Sequence, residues 1–229
     1  MSHETCKAAA LLCPPGQVAE VRVITEDGTG SGYFDDPGTL ATAVDTLDGL
    51  PGIQGIYITL NEVNPALLSR RANRVKTRLG KKDATTADTD ILRRRWLPID
   101  IDPVRPSGVS STGPEHQAAI GTATRVAALL TAKGWPAPVI ADSGNGAHLL
   151  YRIDCKNDDR SRHLVRQCLE VLAAMFDDAT TTIDTANHNA ARIWKLYGTV
   201  ARKGDNTSER PHRRARIIEA PEVIEVVPR

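Results

Sequence analysis

The segment Trp96-Leu-Pro-Ile-Asp-Ile-Asp-Pro constrains this chain more than any other, because apolar and acidic residues alternate in it at a period of two. Successive side chains on a strand point to opposite faces, so Ile99 and Ile101 enter a core while Asp100 and Asp102 project together from the other side. Paired carboxylates of this kind suit a hard cation. Mg²⁺ or Mn²⁺ commonly binds through one or two protein carboxylates and completes its shell with water and substrate phosphates. An exposed strand end whose acids face water would read the same way, so the weight falls on what accompanies the pair.

The rest of the chain supplies alternating strand and helix patterns. Residues up to about Pro15 read as a loose lead-in, Val18 to Ile24 as a strand, and Gly28 to Gly32 as a turn. Leu40, Ala43, Val44 and Leu47 mark a short amphipathic helix, and Gly55 to Leu60 another strand. Gly28-Thr-Gly-Ser-Gly lacks the Lys-Ser/Thr pair of a phosphate-binding P-loop. Arg70 to Thr89 is polar and basic, a mobile or strand-joining excursion. Thr112 and Glu115 match a capping box that opens a helix, which Gly134-Trp-Pro closes. Val139 to Asp142 and His148 to Ile153 read as a hairpin across Ser143-Gly-Asn-Gly. A further helix runs from about Asp158 to Phe176, with Leu164, Val165, Cys168, Leu169, Leu172 and Met175 on one side. Arg192 to Gly198 and Arg213 to Ile218 are the last strand candidates. The order predicts an α+β fold, with helices packed on a mostly antiparallel sheet.

Composition excludes several classes. No apolar run reaches the ~20 residues that span a bilayer, and the start, Met-Ser-His-Glu-Thr, lacks the regions of a signal peptide, which points to a cytoplasmic protein with no membrane partner. Cys6, Cys13, Cys155 and Cys168 form no Cys-x-x-Cys pair, so neither a zinc knuckle nor a disulfide framework is indicated. Net charge is only +1, yet its distribution is uneven. Basic residues gather at Arg70 to Lys82 (Arg74 and Lys76 among them), at Arg93 to Arg95, and at Arg202, Lys203, Arg210, Arg213, Arg214 and Arg216. Segregated charge can build a phosphate-binding stripe on a nearly neutral protein, though solvated faces explain any single cluster.

Strand parity puts His148 with Leu150 and Arg152 on the more polar face, immediately after a turn whose glycines, Gly144 and Gly146, allow backbone N–H groups to approach an anion. Ser143 adds a hydroxyl donor, and the arrangement suits a triphosphate. Farther on, Asp184 in Thr-Thr-Ile-Asp-Thr is a third carboxylate candidate, with Asp177 or Asp178 competing for its role. Arg192 and Lys195, in Asn-Ala-Ala-Arg-Ile-Trp-Lys-Leu-Tyr-Gly-Thr, stand available for phosphate or nucleic acid.

The order of these motifs, Asp100-Ile-Asp102, then Ser143-Gly-Asn-Gly-Ala-His148, then Ile183-Asp184 leading into Ala-Arg-Ile-Trp-Lys-Leu-Tyr-Gly-Thr, resembles the archaeo-eukaryotic primase superfamily, in particular the primase-polymerase domains of phages, plasmids and other mobile elements. The match covers residues 90 to 215. The resemblance implies a single catalytic domain over 1–229, with an N-terminal α/β module at about 15–90 packed with an RRM-like catalytic sheet from about 91. It implies that Asp100, Asp102 and Asp184 hold two divalent ions, Mg²⁺ or Mn²⁺, while His148, with Ser143, Gly144, Gly146, Arg192 and Lys195 nearby, contacts an incoming NTP or dNTP. The activity implied is nucleotidyl transfer on a single-stranded DNA template and primer strand, which Arg74, Lys76, Arg202, Lys203, Arg213 and Arg214 would track, with a replicative helicase acting in trans or on a longer parent chain. The pattern lacks a zinc-binding cysteine set, which leaves open whether such a protein starts primers or only extends them. Two other readings use the same residues: a metal-dependent nuclease, and a non-catalytic module that binds replication-origin DNA.

Overall fold

Secondary structure begins earlier than the amino-terminal sequence suggests. In the computed structural model, which describes residues 2–228, the stretch expected as a loose lead-in is a helix, α1 (His3–Leu12). Its Ala8 and Ala9 are fully buried, because small side chains let the helix lie close against its neighbours. The Glu4 carboxylate accepts the Ile217 N–H at 2.5 Å. That contact ties the start of the chain to a strand more than two hundred residues on.

Strand β1 (Ala19–Thr25) pairs with β2 (Gly28–Phe34), and α2 (Pro37–Asp48) follows, with Asp36 capping its first turn through the Thr39 N–H at 2.7 Å. The glycines expected to form a turn therefore lie within a strand; the reversal sits just before them, at Glu26 and Asp27. The reason is a close crossing. A Cβ on Gly30 would lie 2.7 Å from the Thr77 carbonyl oxygen, and one on Gly32 would collide with that of Arg74. Strand β3 (Ile53–Thr59) completes the local unit. Then come the two-residue strand β4 (Glu62–Val63), a 3₁₀ turn, and β5 (Val75–Lys76), which pairs with β2. The basic excursion from Arg70 is thus strand-joining, and buried Arg71 anchors it by donating to the Ala84 carbonyl and the Ser31 hydroxyl.

The long strand β6 (Ile91–Pro103) carries Asp100 and Asp102. Helix α3 (Gly113–Ala132) opens with the expected capping box, Thr112 and Glu115 exchanging hydrogen bonds with each other's backbone N–H. Strands β7 (Val139–Asp142) and β8 (Ala147–Lys156) form the expected hairpin. Helix α4 (Asp159–Phe176) has a narrower buried stripe than its sequence implied. Val165, Leu169 and Leu172 are buried, but Leu164 and Met175 are more than half exposed. The chain closes with β9 (Thr181–Ile183), β10 (Ile193–Lys195), β11 (Val200–Ala201), β12 (Arg213–Arg214) and β13 (Arg216–Glu219).

These strands make two principal antiparallel sheets. The first runs β10-β3-β1-β2-β5 and the second β13-β7-β8-β6-β4, with β9 also on β6. The sheets exchange strands: β4 from the N-terminal part joins the second, and β10 from the C-terminal part joins the first. Both faces of the second sheet are covered. Leu97, Ile99, Ile101, Leu149 and Tyr151 pack under α3 and α4. On the opposite face Trp96, Leu150, Val139 and Ala141 share a core with Val21, Ile56, Ile58, Trp194 and the first two helices. No helix among the described residues is long and apolar enough to cross a membrane.

A cleft between the two sheets as the candidate active site

Strand parity does to β6 what the alternation predicts. With Ile99 and Ile101 fully buried beneath α3, Asp100 and Asp102 face the first sheet and line a cleft of about 260 Å³. The same cleft is lined by Ser143 and His148 from the hairpin, Asp184 after β9, Arg192 and Lys195 beside and within β10, and Arg202 and Lys203 after β11. Residues spread over about a hundred positions meet because β10 is on one sheet and β6 on the other. Asp184 is set directly beside the pair: its N–H donates to the Asp100 carbonyl at 2.9 Å. Asp177 and Asp178 are used otherwise. The Asp177 carboxylate accepts the Ile183 N–H, and that of Asp178 caps Thr180 and Thr181.

Each acid of the cleft has a polar neighbour. Asp100 Oδ1 lies 3.3 Å from His148 Nε2, Asp102 Oδ1 accepts from Arg105 at 3.1 Å, and Asp184 Oδ1 accepts the Ala186 N–H at 2.9 Å. Burial and the adjacent negative charge of Asp100 push the Asp102 carboxyl above the ordinary carboxylate range, while Arg105 and Lys203 pull it back. Burial, with a smaller contribution from the same two acids, also raises the Tyr57 phenol, so Tyr57 faces the cleft neutral. Among the described residues no group of three or more His, Cys, Asp or Glu side chains closes into a metal cage. The donor chemistry nonetheless fits a hard dication that takes its remaining ligands from substrate, since two repelling, partly desolvated carboxylates gain from a cation placed between them.

The glycine turn behaves differently from expectation. The Gly144 N–H donates to Asp142 Oδ1 at 2.7 Å, and the Gly146 N–H to Ser143 Oγ at 2.9 Å. Both amides are therefore spent inside the turn and are not offered to an anion. Glycine is required for space instead. A Cβ on Gly144 (φ +92°) would lie 2.7 Å from Ala201 Cβ, and one on Gly146 would collide with the Ile101 carbonyl. The Ser143 hydroxyl accepts from Gly146, so its own proton stays available. The turn is braced from behind by buried His116, whose Nε2 lies 2.8 Å from Asp142 Oδ1, and by Asn145, which accepts the Ser111 N–H at 3.0 Å.

The cations divide into two groups. Lys195 is buried, donates to the Val200 carbonyl at 2.8 Å and lies 5.6 Å from the centre of the Tyr57 ring. Burial pushes its ammonium down to about 7, with Asp48 opposing and Arg202 and Arg214 adding to the fall. Arg192 donates to the Ala186 carbonyl at 2.5 Å. Arg202 and Arg214 both converge on buried Asp48, at 2.9 Å each, and Arg213 donates to the Ser111 carbonyl at 2.8 Å. These three, expected on nucleic acid, have bonds that hold the β11–β12 pair to the body of the protein. Lys203 is exposed at the cleft mouth. Arg74 and Lys76 lie far along the first sheet at its β5 edge, outside the cleft, with Lys76 paired to Asp83 at 2.7 Å.

Sequence reasoning overlooked Tyr57, Asn145, Arg105, Asp48, and the aromatic pair Trp194 and Tyr197 behind His148. Tyr57 was within reach: flanked by the apolar Ile56 and Ile58, it must point away from their core.

Two mutually packed antiparallel sheets, with an acidic pair on the long strand β6 of the second sheet turned towards the first, form an α+β fold of the primase-polymerase type. The chain aligns with the crystal structure of primase RepB′ at a TM-score of 0.50 and 10% identity, over 94% of its own length and 55% of that protein's. It therefore spans little more than half of that primase. The polymerase domain of Mycobacterium tuberculosis ligase D, solved in complex with DNA, aligns at a TM-score of 0.47 and 13% identity, over 91% of this chain and 78% of that one. No protein-family model matches the sequence, and neither does any curated protein.

Proposed function

We propose that this chain is a DNA-templated nucleotidyltransferase that makes or extends primers from nucleoside triphosphates. The observation that carries the reading is the single cleft that gathers Asp100, Asp102, Asp184, Ser143, His148, Arg192, Lys195 and Lys203. Acids at its floor and cations at its wall are what a triphosphate with accompanying dications requires. The fold shared with primase RepB′ supports the same reading.

In the reaction proposed, a primer 3′-hydroxyl, or a first nucleotide when a primer is started, attacks the α-phosphate of the incoming triphosphate and pyrophosphate leaves. The imidazole of His148 and the free hydroxyl proton of Ser143 would hold phosphate oxygens, with Arg192 and Lys195 offsetting their charge. Asp100, Asp102 and Asp184 would hold Mg²⁺ or Mn²⁺. Bound there, such ions supply charge neutralisation for an in-line displacement and make the attacking hydroxyl more acidic. Exposed Lys203 would meet template or primer phosphates, with Arg74 and Lys76 on a separate surface, so DNA binding should weaken with salt.

The deciding experiment measures primer formation and extension on single-stranded DNA with Mg²⁺ or Mn²⁺ and NTPs or dNTPs, for wild type and for Asp100→Asn/Asp102→Asn. Synthesis by wild type that the double variant loses supports the proposal; undiminished synthesis by the variant refutes it. A parallel arm without triphosphates identifies a nuclease, which would shorten labelled strands regardless.

A further inference from the structure

Beside the cleft three aromatic side chains form a hydrogen-bonded cluster. The His148 and Trp194 rings lie 4.0 Å apart, centre to centre, and the Tyr197 ring is 5.9 Å from His148. All three residues are almost fully buried. Trp194 Nε1 donates to Tyr197 Oη at 2.9 Å, and Tyr197 Oη lies 3.2 Å from His148 Nδ1. The second imidazole nitrogen, Nε2, points the other way, 3.3 Å from Asp100 Oδ1 at the cleft.

Counting protons settles the direction of this chain. An indole N–H can only donate, so Tyr197 Oη must accept from Trp194. Its own O–H proton then needs an acceptor, and His148 Nδ1 is the one at hand. If Nδ1 instead carried the proton and donated to Tyr197, the phenolic proton would be buried without a partner, which is costly. With Nδ1 accepting, a neutral imidazole carries its proton on Nε2. That nitrogen is the one 3.3 Å from Asp100 Oδ1.

We infer that Tyr197, oriented by the Trp194 N–H, is a positioning residue that holds His148 as the Nε2–H tautomer, so that His148 presents a hydrogen-bond donor to the cleft. Such a donor recognises an anionic oxygen, and on the reading of this site as a triphosphate site that oxygen belongs to a phosphate. The opposite tautomer would present a lone pair and repel it. Burial also holds the Tyr197 phenol far above its ordinary range, so the hydroxyl remains a donor throughout the working pH range. The pattern in sequence is Trp-x-x-Tyr, with Trp194 inside β10 and Tyr197 just beyond its end.

The test uses long-range ¹H–¹⁵N spectra of histidine-labelled protein at about pH 8, above the ordinary imidazole range. The chain has six histidines, and His148→Gln identifies the resonance of interest. Wild type should show protonated Nε2 and unprotonated Nδ1. Tyr197→Phe, which keeps the ring, should shift the population towards a mixture of tautomers and weaken ATP or dATP binding by on the order of ten-fold; Trp194→Phe should do so to a lesser degree. Protonated Nδ1 in wild type, or an unchanged tautomer in Tyr197→Phe, overturns the inference. A shifted tautomer with unchanged triphosphate affinity overturns its link to recognition. If wild type binds no triphosphate, the nucleotidyl-transfer reading fails, while the tautomer measurement still decides what Tyr197 does.

Discussion

Gly146→Ala probes the closest backbone approach at the site. Gly146 ends the turn, and the next residue, Ala147, pairs with Ile101 between β8 and β6. A Cβ at position 146 would run into the Ile101 carbonyl, and its next neighbours are Ile101 C at 3.3 Å and Asp102 Cα at 3.4 Å. Backbone on both sides belongs to the sheet, so no flexible side chain can absorb the overlap. Forcing a methyl into a closed site costs about 1–3 kcal/mol. For a protein of this size each kcal/mol shifts Tm by roughly 2–4 °C, so a fall of about 2–12 °C follows. The strand that must yield is the one that carries Asp102. A displacement of ~1 Å at a reacting group costs about a hundred-fold in rate, so nucleotide incorporation should fall far more than stability alone explains. Thermal unfolding and primer extension, measured on the same preparation at a temperature where both proteins are folded, separate the two effects. A variant that melts with wild type and extends primers at the wild-type rate refutes the close approach and the reasoning built on it.

Lys195 supplies a pH dependence. Its folded-state pKa of about 7 lies below the ordinary 10.5, so between these values the unfolded chain binds more protons than the folded one. Stability should therefore rise with pH through that window, and urea titrations of Lys195→Met should show a flatter profile with its advantage greatest near pH 7 and below; an equal slope in both proteins would rule out the depressed ammonium. The same substitution should weaken triphosphate binding. Asp48→Ala removes the acceptor shared by Arg202, Arg214 and the Val200 N–H. Because Arg214 is half exposed, the loss should be about 1–2 kcal/mol, less than for a fully buried pair. A double-mutant cycle with Arg202→Ala checks it, and strict additivity would deny the coupling.

Much of this protein was legible before its structure. The alternation at Ile99 to Asp102, the Thr112 capping box and the hairpin at Ser143 are local devices: two-residue parity, a side chain bonded three residues on, a turn between paired strands. Each is decided within a few residues, and each has the form its sequence predicts. The order of the motifs was enough to expect a primase-polymerase fold. Where local signals were weak, long-range contacts decided. Gly30 and Gly32 belong to a strand because the 74–77 segment crosses them, and α1 is held by contacts with α2 and β13 that nothing in its own ten residues reveals.

The cleft itself divides along the same line. The sequence by itself determined which residue types could do the chemistry and which face of β6 the acids occupy, because strand parity is a property of the backbone alone. Only the tertiary structure decided what those residues are free to do. It turned Arg202 and Arg214 onto Asp48 and set Trp194 and Tyr197 behind His148. A hydrogen-bond donor has a limited number of bonds to give. Which partner takes them depends on groups brought together from distant parts of the chain.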